Sequence, residues 1–291
     1  MNWDRLLERY RITDGKAFQL GKHDPADKAT LEREAAAALL STAQKRLVEL
    51  QDMLYAQDRW GVLCLFQAMD AAGKDGTIKG VFAGLNPQGC EVTAFKAPTT
   101  TELDHDFLWR HVNALPARGH LGIHNRSWYE EVLVARVHPA IVARQKLPSH
   151  LISKRIYDER LEDIAAFERY LTRQGIVVLK FFLNVSRGEQ RDRFLARIDE
   201  PEKNWKFNSG DIAERAHWDD YRHAYQQAIR ATATPAAPWY VVPADRKWFT
   251  RLVVAGAMVV AMEKLGLAYP KLEEAEAAKL QAARAELLLE K

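Results

Sequence analysis

A short apolar run, Val62-Leu63-Cys64-Leu65-Phe66-Gln67-Ala68-Met69, stops at Asp70-Ala71-Ala72-Gly73-Lys74-Asp75-Gly76-Thr77, and helix-forming sequence follows. This is the strand–loop–helix layout of a phosphate-binding loop, in which backbone N–H groups and a helix N-terminus face an anion. It makes the chain a candidate for phosphoryl transfer. The loop departs from the usual G-x-x-x-x-G-K-[ST] pattern: Ala68 stands in place of the first glycine and Asp75 in place of the final hydroxyl residue. The usual metal-binding hydroxyl is therefore missing, while a carboxylate, Asp70, sits inside the loop. Mg²⁺ prefers hard oxygen ligands, often one or two carboxylates plus substrate phosphates, so Asp70 can take over that role. The plainer alternative is a glycine-rich turn after a buried strand, with Lys74 solvated.

Around this loop the chain reads as α/β. Ala29 to Gln57 has the spacing of one long amphipathic helix. Strands are predicted at Gly61–Met69, Glu91–Phe95, His120–Asn125, Ile176–Leu183 and Trp239–Val242, with helices between them at about Thr77–Leu85, Thr101–Asn113, Tyr129–Val137 (partly helical), Arg155–Arg173, Arg187–Ile198, Ile212–Ala231 and Lys247–Leu265. Alternation of this kind argues for a parallel sheet. Ligands in such folds collect beyond the C-terminal strand ends. Four features fall there: residues 70–76, Lys96-Ala97-Pro98, Asn125-Arg126-Ser127 and Asn184-Val185-Ser186-Arg187.

At these places the residue types suit phosphate chemistry. Lys74 reaches phosphate oxygens as a point charge. Ala71, Ala72, Gly73, Asp75 and Gly76 supply backbone to the same anion, and Thr77 a hydroxyl. Lys79 faces either the anion or solvent. A guanidinium at a strand end, Arg126, suits bidentate phosphate binding. Asn125 is a weak metal ligand, so the metal leans on Asp70, with Glu130 or Glu131 as helpers or else as a solvated face. Arg187, Arg191 and Arg193 crowd a weakly apolar helix of the kind that forms a lid over a migrating phosphoryl group; Arg187 or Arg191 is expected to make the catalytic contact, and Lys203 and Lys206 extend the stretch. The histidines lack metal-ligand spacing. Trp205, Trp218, Trp239 and Trp248 are either core or stacking residues.

The chain has 291 residues and a net charge of +3, with 47% hydrophobic and 28% charged residues. That mild charge excludes a strongly basic protein, so polyanion binding must come from local clustering. Cys64 and Cys90 read as buried free thiols of a reducing compartment. The polar N-terminus lacks a signal peptide's apolar core, and the longest apolar stretch, Leu252–Met262, is far short of the roughly 20 residues of a membrane span. A cytoplasmic protein is expected, with neither a membrane nor a nucleic-acid partner.

Several segments together resemble the family-2 polyphosphate kinases: residues 69–76, Phe95-Lys96-Ala97-Pro98-Thr99, Asn125-Arg126-Ser127-Trp128-Tyr129-Glu130-Glu131-Val132-Leu133-Val134, Phe167 to Leu171, Ser186 to Phe194, Pro201 to Phe207 and Ala237 to Asp245. The similarity runs in order from about residue 15 to 270. It implies a P-loop kinase fold of the thymidylate-kinase type: one three-layer α/β/α domain over residues 1–291, with a helical extension at about 1–58, a lid at about 186–208 and a helical tail at about 270–291. It implies Mg²⁺-dependent phosphoryl transfer between inorganic polyphosphate and nucleotides. By motif match Asp70 helps bind metal, with Asn125 and Glu130 nearby, Lys74 and Arg126 bind phosphate, and Arg187 and Arg191 belong to the lid. The Asn125 form resembles the subgroup that phosphorylates both AMP and ADP. A homo-oligomer, dimer or tetramer, is implied as well. The rivals are an ATP-dependent nucleoside monophosphate kinase and an inactive polyanion-binding protein of the same fold.

Overall fold

A computed structural model describes residues 2–290. Its six-stranded sheet runs β1 (Arg11–Ile12), β6 (Trp239–Pro243), β5 (Ile176–Asn184), β2 (Gly61–Ala68), β4 (Leu121–Asn125), β3 (Cys90–Ala94). All pairs are parallel except β1 with β6. Every residue of β2 is buried, as expected of a central parallel strand covered on both faces. The chain leaves β2 to one side for β3 and β4 and to the other for β5 and β6. The loop after β2 therefore lies where the direction of winding reverses, the place where α/β sheets bind ligands.

The longer helices are α1 (Arg33–Gln57), α2 (Lys74–Val81), α3 (Ile156–Arg173), α4 (Arg187–Asp199), α5 (Trp218–Thr232), α6 (Lys247–Glu263) and α7 (Glu274–Leu289). Side chains alternate across a strand, and this sorts the helices into layers. Phe66 and Phe181 stack on one face, where Phe66 also meets Phe82 just after α2 and Cys64 meets Met258 of α6. Phe182 and Lys180 point to the other face, against Tyr225 of α5 and Glu168 of α3. Helix α6 is buried over most of its length and packs along α1, so it is apolar nearly all round.

On that second face lies a buried polar network. Lys180 donates to Glu168 (2.5 Å) and to the Thr232 carbonyl (2.7 Å), and the Tyr129 hydroxyl donates to Glu168 (2.8 Å) and lies 2.7 Å from the Thr232 hydroxyl. Burial pushes the Glu168 carboxyl up and the Lys180 ammonium down, while their mutual attraction opposes both shifts. The network pins Tyr129 in the short 3₁₀ turn Trp128–Glu131, one residue from Glu130.

The five parallel strands lie where the apolar runs predict them. Some other segments differ from expectation. The first 58 residues contribute a strand, β1, as well as helix, and α1 begins only at Arg33, after Ala29 and Thr30 take positive φ. The helix expected over 101–113 is two short turns, Thr100–Leu103 and Trp109–Val112. The tail forms α7, in which no residue is buried. No helix among the described residues is long and apolar enough to cross a membrane.

Candidate active site

The loop Met69–Gly73 joins β2 to α2, and Gly73 caps the helix in the left-handed region, φ 101°. A side chain there would be strained, which explains the glycine. The loop is held from behind by Arg193 of α4. Its guanidinium donates to the carbonyls of Ala71 (3.0 Å), Ala72 (2.7 Å) and Ala244 (2.6 Å), and to the Glu189 carboxylate (2.8 Å). In a planar trans peptide the next N–H points opposite the carbonyl. Tying down the Ala72 carbonyl therefore turns the Gly73 N–H away from Arg193, to the other side of the loop. Gln190, one turn earlier on α4, donates to the Asp70 carbonyl (2.9 Å) and accepts from Arg215 (2.6 Å).

Lys74 bends back to the Ala68 carbonyl (3.2 Å). Burial lowers its pKa and nearby Arg126 lowers it further, against the pull of Asp70, Glu130 and Asp75. The ammonium thus sits where an added anion would relieve it. Arg126 follows β4, its N–H closing the ladder onto the Phe66 carbonyl (3.0 Å). It donates to Glu130 (2.9 Å) and, at 3.4 Å, to Asp70. Glu130 foremost, with Asp70, raises its pKa further. Asn125 donates to Asp75 (2.7 Å), linking the end of β4 to the first turn of α2.

These groups open on a cleft of about 700 Å³ lined by residues 70–77, Lys96, Asn125, Arg126 and cations from α4, α6 and the 3₁₀ segment Pro201–Lys206. Nine lysine and arginine side chains line it against two aspartates. A chain of net charge +3 thus concentrates its positive charge at one place. Arg126 also borders a second cavity of about 540 Å³, whose walls include Phe95, Pro98, Leu103, Ile141, Arg110 and Arg144. A cationic cleft and a more apolar cavity with arginines therefore share a wall at Arg126.

Among the described residues no group of three or more His, Cys, Asp or Glu side chains gathers to hold a metal. Mg²⁺ needs no such cage, because it keeps several waters and takes one or two carboxylates plus substrate phosphates. Asp70 fits that use. Among the described residues its one side-chain hydrogen bond is the long one from Arg126, and the carboxylate stays partly open to the cleft.

The model of the polyphosphate kinase 2 family matches residues 30–267. The chain belongs to the polyphosphate kinase 2 family. It is 46% identical over 283 residues to an ADP-polyphosphate phosphotransferase of Rhodopseudomonas palustris, covering 97% of this chain and 98% of the relative. It is 43% identical over 271 residues to an AMP/ADP-polyphosphate phosphotransferase of Meiothermus ruber, covering 92% and 97%. The crystal structure of polyphosphate kinase 2 from Arthrobacter aurescens superimposes with a TM-score of 0.85 at 40% identity, over 94% of this chain and 95% of that one. The fold is accordingly the P-loop kinase fold of that family.

Within this polyphosphate kinase 2 scaffold, the residues singled out from sequence fall into two groups. Asp70, Ala71, Ala72, Gly73, Lys74, Asp75, Gly76, Thr77, Asn125, Arg126 and Lys206 line the cleft. Glu130 borders the second cavity and is paired with Arg126. Lys79 is exposed and lines neither cavity. Arg187 and Arg191 are also exposed and line neither; Arg191 pairs with Asp192 (2.9 Å). Sequence reasoning missed the structural weight of Arg193 and Gln190, and it missed Arg197, Lys247 and Arg251. A signal existed for the first two. Gln190, Arg193 and Phe194 follow the i, i+3, i+4 spacing of a buried helical stripe, and Phe194 marks which side of α4 faces inward.

Proposed function

We propose that this protein transfers phosphoryl groups, reversibly, between inorganic polyphosphate and nucleoside mono- and diphosphates, converting AMP to ADP and ADP to ATP. The observation that carries this reading is the cleft with nine cations that begins at the phosphate-binding loop, in a chain whose near-full-length relatives are named polyphosphate phosphotransferases. A linear polyanion needs such a track, whereas a nucleoside triphosphate needs only its first part.

In this reading the polyphosphate end lies on the loop, contacting the Gly73 N–H and Lys74, and its terminal phosphoryl group meets Arg126 beside Asp70. The acceptor nucleotide occupies the second cavity, its base among Phe95, Pro98 and Ile141 and its phosphates toward Arg126. A terminal oxygen of the acceptor attacks the terminal phosphorus in line. One P–O bond to the acceptor forms, the bridging P–O bond breaks, and the polyphosphate leaves one unit shorter. A phosphate's second pKa is near 6, so the attacking oxygen is ionised at neutral pH and no general base is required. Arg126 carries the charge that spreads over the equatorial oxygens, and Glu130 keeps its guanidinium oriented. Mg²⁺, held by Asp70 and substrate phosphates with Asn125 and Glu130 close by, would neutralise developing charge. Residues 186–208 act as a lid that brings Arg187 and Arg191 toward the migrating group. Free cysteines suit a cytoplasmic setting, and the exposed leucines of α7 suit a homo-oligomer.

The test is nucleotide analysis with Mg²⁺, long-chain polyphosphate and either AMP or ADP, without ATP. ADP and ATP are expected from AMP. Asp70→Asn and Lys74→Ala are expected to lower turnover by roughly 100-fold or more, as removal of a charge-stabilising group does. Turnover of AMP only when ATP is the donor would overturn the reading.

A further inference from the structure

On α6, Arg251 has no hydrogen-bond or ion-pair partner among the described residues, and its Nε is buried without an acceptor. A guanidinium is costly to leave in that state unless an anion completes it. Its position is built by a glycine of α2. A Cβ at Gly80 would fall 2.6 Å from the Arg251 Nε and 2.8 Å from its Cδ. Gly80 does not have positive φ, and glycine inside a helix is less favourable than alanine. Here the missing side chain gives Arg251 the room to lie across α2. One turn earlier on α6, Lys247 faces the same cleft, and burial together with Arg193, Lys203 and Arg251 lowers its pKa.

At 1.5 Å per residue, Gly80 lies about 9 Å along the helix from Lys74. Arg251 is therefore displaced from the place where the terminal phosphoryl group meets Asp70 and Arg126. We infer that Lys247 and Arg251 form a distal phosphate subsite, which grips polyphosphate several units from its reacting end and makes the enzyme favour long chains over short ones. The inference rests on the proposed polyphosphate reading and adds a residue-level determinant of chain length.

The experiment measures KM for tripolyphosphate and for long-chain polyphosphate, with ADP as acceptor, in the wild type and in Arg251→Ala, Lys247→Ala, Gly80→Ala and Arg284→Ala. In Arg251→Ala and Lys247→Ala the long-chain KM is expected to rise on the order of tenfold, the size of one charge-assisted contact, and several-fold more than the tripolyphosphate KM. Gly80→Ala retains the arginine but fills its bed, so it is expected to shift the same ratio. Arg284, on exposed α7, is the control for loss of one positive charge and is expected to change neither value. If Arg251→Ala moves both donors by one factor, or moves neither, the distal subsite is overturned while the proposed function stands. If the wild type uses neither donor, both fall.

Discussion

Arg126 follows β4 with a left-handed backbone, φ 69°, and Ala71 in the loop has φ 58°. Such a conformation costs a non-glycine residue roughly 1–3 kcal/mol and persists where the surroundings over-determine it. Here two ladders end together, and the Arg126 N–H is fixed by Phe66 while its guanidinium is fixed by Glu130. Behind the site, burial drives His111 down to about 2, with Arg110 and His124 adding, and drives His124 down to about 4 against a bond to the Ala114 carbonyl. Both folded values lie below the ordinary 6.5, so on acidification the unfolded chain takes up these protons first. The stability the two contribute is intact above pH 6.5 and is lost as the pH falls. At about pH 5.5 the loss is about 1.4 kcal/mol for each. Thermal unfolding at about pH 8 and pH 5.5 should show that drop in the wild type and roughly half of it in His111→Leu; equal drops would contradict the assignment. Asp70, Lys74 and Arg126 were legible because their chemistry is local to a motif. Arg193 was not, because the loop carbonyls it holds lie more than a hundred residues earlier and the Ala244 carbonyl lies well after it, and an arginine in a charged helix reads as solvated.

Elements were legible in proportion to how much of their stabilisation is local. β2 and β5 are buried almost throughout, so each reads as a mostly apolar run, interrupted by Gln67 in β2 and by Lys180 in β5. β1 has two residues, held by pairing with Trp239 and Tyr240, and nothing in its own composition marks it. The helix expected over 101–113 breaks because Asp106 accepts the Leu108 N–H (2.9 Å), a local bond that competes with helix. The network of Glu168, Lys180, Tyr129 and Thr232 joins α3, β5, the 3₁₀ turn beside the site and the end of α5. Removing one partner of a buried pair leaves the other charge uncompensated, at a cost of about 3–5 kcal/mol. Lys180→Met should lose that much in denaturant unfolding, and Lys180→Met with Glu168→Leu should recover part of it. A double variant no more stable than the single one would show that the cost lies in packing rather than in the stranded carboxylate.

For the whole molecule, the cleft is assembled from the loop, the ends of β3 and β4, α4, the segment after it, and α6. Burial foremost, and then repulsion from neighbouring cations, lowers Lys74 and Lys247, and an arriving anion relieves both. No local pattern exposes the whole arrangement, since Arg197, Lys247 and Arg251 each look like ordinary surface charges in the sequence. What the sequence does show is the phosphate-binding loop, the strand ends and the family motifs, and the fold then brings the remaining cations onto the same track. The central claim is that the terminal phosphoryl group of polyphosphate passes to a nucleotide at this cleft. It is tested most directly in a single turnover with radiolabelled polyphosphate and unlabelled ADP, in the presence of Mg²⁺ and the absence of ATP. The account expects label in the terminal phosphate of ATP and a polyphosphate one unit shorter. Label released only as inorganic phosphate, or ATP formed without label, would contradict it.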